Sequence, residues 1–114
     1  MIAKAVIALA VTAAASIHVA PATVDAGGRV SVSGSARGCP TGDRVMLLSR
    51  AFSHRHDFAG VPAVYARVRR DGSYGHSVRI PPGTPAGRYA ITGRCGGGNL
   101  GVTAHLRVRR ANLR

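Results

Sequence analysis

The segment Phe52-Ser53-His54-Arg55-His56-Asp57-Phe58 holds both phenylalanines and two of the five histidines of the chain. Extended backbone sends successive side chains to opposite sides, so Phe52, His54, His56 and Phe58 would share one side and are the ligand candidates of this loop. Imidazoles at i and i+2 can chelate zinc or copper, but such a site needs a third ligand, for which Asp57 or His105 would have to serve. The alternative reading has the phenylalanines cap the open edge of a core while the histidines sit in solvent, and no metal is assigned. Ser53, His56 and Asp57 are the residue types of a hydrolytic triad. They lie too close together for the relay, and no nucleophile elbow is present. Asp25, Asp43, Asp57 and Asp71 fall mostly beside turn residues and form no acid and base pair. The chain is therefore expected to be no enzyme and to need no cofactor.

A second group is basic. Arg67, Arg69, Arg79, Arg107 and Arg109 occupy outward positions of alternating runs, and some at least should gather into a basic face. Guanidinium groups pair bidentately with phosphate and carboxylate, so the expected partner is an anionic cell-surface polymer, with another surface protein as the alternative. Three Tyr and two Phe are too few stacking residues for specific nucleic-acid recognition. The competing explanation is compositional, since arginine, alanine, glycine and valine all have GC-rich codons.

The elements that must carry these residues are strands. The 114 residues are one domain's worth, 46% hydrophobic and 18% charged, with 16 Lys and Arg against four acids. That balance excludes a disordered tail and any chemistry built on clustered carboxylates. Apolar residues recur at period two from Ile17 onward, in runs covering 17–20, 29–33, 44–48, 64–68, 74–80, 88–95 and 101–110. Val30 and Val32 point inward in the second run, whereas Arg44 to Leu48 is apolar on both parities, as a central strand would be. Asp71-Gly72 reads as a two-residue hairpin turn, because glycine accepts the positive φ that such a turn requires. The expectation is an all-β, seven-stranded sandwich whose one long connection is Ser49 to Gly60.

Ahead of the first strand, Lys4, the apolar run Ala5 to Val11 and the triplet Ala13-Ala14-Ala15 have the form of a signal peptide cut after Ala15. The run is too short to span a bilayer. The expected division is thus residues 1–15 as signal peptide and 16–114 as the exported domain, secreted or associated with the cell surface. Outside the cytoplasm an even pair of cysteines is usually bonded, so Cys39 and Cys95 should form a disulfide worth roughly 4 kcal/mol. The same cut would leave Ser16-Ile17-His18 at the amino terminus, a pattern that can wrap Cu(II) in a square plane.

The stretches HVAPATVDAGGRVSVSG, GDRVMLLSRAF and DGSYGHSVRIPPGTPAGRYAITGRC resemble the strands of immunoglobulin-like domains secreted by high-GC Gram-positive bacteria, over residues 16 to 110. The order P-x-x-V, G-G-x-V-x-V-x-G, D-G-S-Y and P-x-G-x-Y-x-I carries the resemblance. It implies a structural role for Tyr89, whose hydroxyl should bond the backbone upstream as a tyrosine corner. The core tryptophan of antibody domains is missing, and Cys95 lies six residues after Tyr89 instead of two, so the bridge should staple one end of the domain. The secreted antibiotic-carrying apo-chromoproteins of actinomycetes are similar in size and sandwich fold. That likeness implies the alternative function, an extracellular carrier holding a small apolar ligand in a cleft.

Overall fold

The computed structural model describes residues 14–96 and 98–111. The expected signal peptide, residues 1–15, lies almost wholly outside this range. Among the described residues there is no helix, hence none long and apolar enough to cross a membrane. The described residues form nine strands, two more than the sequence pattern yields: β1 His18–Ala20, β2 Thr23–Asp25, β3 Arg29–Ser35, β4 Arg44–Leu48, β5 Asp57–Phe58, β6 Val61–Arg67, β7 Ser73–Arg79, β8 Gly87–Cys95 and β9 Gly98–Arg109. The additional strands, β2 and β5, are three and two residues long, too short for a period of two to register.

The strands form a small sheet in the order β1-β3-β7 and a large one in the order β2-β9-β8-β4-β6-β5, the latter curled into a half-barrel. Every pairing is antiparallel except that of β2 with β9. Val30 and Val32 of β3 face inward as expected and meet Val45 and Leu47 of β4, Ile91 of β8 and Leu106 of β9 in one core. β4 is the central strand predicted, flanked by β8 and β6.

Asp71-Gly72 does not make a hairpin of its flanking strands, because β6 belongs to the large sheet and β7 to the small one. The turn closes on itself instead. Arg69 N donates to Ser73 O at 2.7 Å, Gly72 N donates to Arg69 O at 2.9 Å, and Gly72 takes a φ of 83°. The chain then crosses to the other sheet.

Cys39, in the β3–β4 connection, is bonded to Cys95 at the end of β8, with a Cα–Cα distance of 6.0 Å. The bridge staples one end of the domain, as the sequence implied, and is at home in an oxidising compartment, in agreement with a secreted protein.

Candidate functional site

The two sheets are unequal, and their inequality leaves a cleft. Among the described residues β7 pairs only with β3, which leaves its other side as an edge of the small sheet. The segment after β4 folds back toward that edge. Ser49 N donates to Pro62 O at 3.1 Å and Phe52 N to Ser49 O at 3.1 Å, while the Ser49 hydroxyl accepts from Ala51 N at 3.2 Å. These bonds satisfy Ser49 inside the protein and drive Phe52 into the core, where it is 2% exposed. Ser53 and Arg55 are thereby brought beside β7, across a cleft of about 450 Å³. Its apolar walls include Val64, Val78, Pro81 and Pro82, and its rim includes Arg29, Arg55, His76 and Arg79.

The four loop candidates do not share a side. Residues 49–56 are turns and not extended backbone, which removes the alternation on which the expectation rested. Phe52 is a core residue. Phe58, 39% exposed, lies on the outer face of the large sheet under the Arg94 guanidinium, 5.0 Å from its ring centroid. The His56 ring meets the edge of Tyr65 at 5.4 Å, and His54 Nδ1 lies 3.2 Å from Asp57 Oδ1. Among the described residues no three groups of ligand type converge on a metal site. Ser16 N donates to Ser35 O at 2.9 Å, so one of the nitrogens that a copper ion would recruit is engaged in the fold.

The five expected arginines are dispersed. Arg107 and Arg109 stand together on β9, where Arg109 Nε and Nη2 both reach Asp25 Oδ1 at 2.9 Å. Arg67 lies in the same sheet, opposite Arg44 of β4, whose guanidinium covers the Tyr65 ring at 4.8 Å. Arg69 reaches Ser73 Oγ at 3.3 Å in the crossing turn. Arg79 is on the small sheet, at the rim of the cleft. A wider open basin, about 740 Å³, lies along β8 and β9 and is bordered by Arg88, His105, Arg107, Arg109 and Arg110. The cleft arginines Arg29 and Arg55 and the basin residues Arg88 and Arg110 were not singled out from sequence. Arg29 could have been, as the outward neighbour of Val30, but its position opposite Arg79 depends on strand register.

Tyr89 bonds as expected, its hydroxyl donating to Pro85 O at 2.6 Å in an exposed setting. The deeply buried phenol is Tyr74, 1% exposed, which donates to Ser16 O at 2.7 Å. Burial pushes its pKa up to about 12. Asp71 is held below its ordinary value by the Ser73 hydroxyl and, next, the Ser73 backbone N–H.

Against known proteins, the solved structure of macromomycin matches 86% of this chain and 100% of its own, with a TM-score of 0.53 and 17% identity. The likeness is one of fold. An alkylpurine DNA glycosylase, AlkC, from Pseudomonas fluorescens, solved bound to DNA containing an abasic site analogue, matches 86% of this chain with a TM-score of 0.53 and 21% identity. The match takes in only 31% of the glycosylase chain. No protein-family model matches the sequence, and no curated protein does. These neighbours correct the expected kinship with secreted bacterial immunoglobulin-like domains. The motifs behind that expectation are turn and strand signals, which two-sheet proteins of separate origin share.

Proposed function

We propose that the protein is an extracellular carrier of a small ligand, held in the cleft between β7 and the 49–56 segment. The observation that carries the reading is the match in fold over the whole of macromomycin, beside the likeness in size and fold to ligand-carrying apo-chromoproteins that the sequence already shows. The cleft supports it: concave, walled by Val64, Val78 and two prolines, and beside the long connection, where a carrier would place its ligand. Native mass spectrometry of protein secreted by its own source should find a small molecule that leaves on denaturation. The neutral apolar dye Nile red should bind the emptied protein saturably, and Ser53→Trp, which fills the cleft, should abolish that binding. An empty native protein together with dye binding unaffected by Ser53→Trp would overturn the reading.

A second reading, association with an anionic surface polymer, is favoured by one observation. Arg88 of β8 faces Arg107 of β9 directly in register, and both border the basin with Arg109 and Arg110. Like charges directly opposite are destabilising, so a bridging polyanion would relieve a cost that the free protein bears. Retention on purified cell wall should fall steeply with salt and fall again in Arg88→Glu/Arg107→Glu. Equal retention of both proteins at both salt concentrations would remove this reading.

A further inference from the structure

We propose that the ligand of the cleft is a small amphipathic acid, an apolar body ending in one oxyanion head such as a carboxylate, sulfate or phosphate. The inference rests on the carrier reading and assigns that site its ligand class. Of the ten described residues lining the cleft, three are arginine, one is histidine and none is acidic. A neutral or cationic guest would leave this charge uncompensated. An anionic one would neutralise it.

Register sharpens the argument. Arg29 of β3 and Arg79 of β7 are directly opposed partners, which brings two guanidinium groups together on one face of the small sheet. Each is lightly tethered: Arg29 Nη1 reaches Ser77 Oγ at 3.4 Å, and Arg79 Nε reaches Gly27 O at 3.3 Å. A guanidinium carries five N–H donors, so each tether occupies one and leaves a fork aimed by its anchor. Arg55 approaches from the loop on the far wall. An oxyanion seated among the three would accept bidentate bonds from the rung and offset its repulsion. The chain or ring behind the head would lie against Val64, Val78, Pro81 and Pro82. That combination distinguishes an amphipathic acid from free phosphate, which makes no use of the walls, and from a neutral hydrocarbon, which makes no use of the rim.

The test uses the secreted protein stripped of small molecules and three probes with one apolar body: laurate and dodecylamine below their micellar concentrations, and dodecanol below its solubility limit. Laurate should bind saturably, at least tenfold more tightly than dodecylamine and several-fold more tightly than dodecanol, with the preference shrinking as salt rises. Arg29→Gln/Arg79→Gln should weaken laurate tenfold or more and leave dodecanol unchanged. Because the substitution removes a like-charge pair at an exposed position, the melting temperature of the double variant should stay level or rise, which separates lost recognition from lost folding. Equal affinity for laurate and dodecanol would overturn the acid while leaving the carrier standing. Laurate binding that survives in Arg29→Gln/Arg79→Gln but is lost in Arg88→Gln/Arg107→Gln would overturn the site. Inorganic phosphate binding as tightly as laurate would overturn the amphipathic class. Failure of all three probes, together with failure of Nile red, would remove the carrier reading itself.

Discussion

The Tyr74 hydroxyl donates to the Ser16 carbonyl at 2.7 Å, joining residues 58 positions apart in the chain. The segment leading into β1 is thereby locked to the small sheet. Ser16 N donates to Ser35 O and the Ser16 hydroxyl accepts from Ser35 N, each at 2.9 Å, so Ser16 takes part in three bonds to two neighbouring strands.

This relationship separates two tyrosines that the sequence makes look alike. Tyr74→Phe would leave the part-buried Ser16 carbonyl without this donor, and such a loss costs about 1–3 kcal/mol. Tyr89→Phe removes a bond made in an exposed setting, where water replaces the donor, and should cost under about 1 kcal/mol. Urea unfolding of the two variants measures the difference. A larger loss in Tyr89→Phe would contradict the ranking.

Gly34 is part of the same lock. A β-carbon there would collide with the Ser16 carbonyl and come within 2.9 Å of the Tyr74 hydroxyl. Backbone on one side and a buried ring on the other leave nothing that can yield cheaply. Gly34→Ala should destabilise by about 2 kcal/mol or more, or undock Ser16 and Ile17 from the small sheet. Hydrogen exchange at the Ser16 and Ser35 amides distinguishes these outcomes, and wild-type protection with unchanged stability would contradict both.

Why one tyrosine was legible and the other was not follows from what a period of two contains. Alternation places Tyr74 on one face with His76, Val78 and Ile80, of which His76 is exposed in the structure, and it carries no information about a partner 58 residues away. The Tyr89 bond is implied by the resemblance to a tyrosine corner, a motif whose acceptor, here Pro85, is local. The same limit applies to the arginines. Outward position can be read strand by strand, whereas the opposition of Arg29 to Arg79, Arg44 to Arg67 and Arg88 to Arg107 is a property of register. The hairpin at Asp71-Gly72 failed for a related reason. Turn chemistry fixes the local reversal, and nothing local says that the next strand joins the other sheet. Phe52 and Phe58 parted because the loop turns at Ser49, whose N–H bonds the Pro62 carbonyl, a partner that the loop sequence does not reveal.

Alkaline pH should weaken the lock. The folded state raises the Tyr74 pKa from 10.0 to about 12 through burial, so it holds a proton that the unfolded chain releases. The resulting contribution is fully present below pH 10, where both states are protonated, and is lost as pH rises through about 12. Spectrophotometric titration should show one phenol ionising near pH 12. The stability difference between wild type and Tyr74→Phe should narrow over the same interval. A late phenol that persists in Tyr74→Phe would assign the shift to another residue.

The opposed arginines give a prediction that runs against the usual direction of mutation. Arg44 and Arg67 face each other across β4 and β6, and Arg44 also covers the Tyr65 ring. Replacing Arg67 spares that contact and removes the repulsion, so Arg67→Gln should stabilise the free protein by about 0.2–1 kcal/mol, the range for a directly opposed pair. Because the interaction lies at an exposed position, molar salt should screen it and erase most of the gain. Chemical unfolding by urea, which adds no ions, at low and high sodium chloride measures both terms. A gain equal at the two salt concentrations would mean that packing and not charge was responsible. A loss of stability would mean that Arg67 forms a favourable contact outweighing the repulsion at this pair.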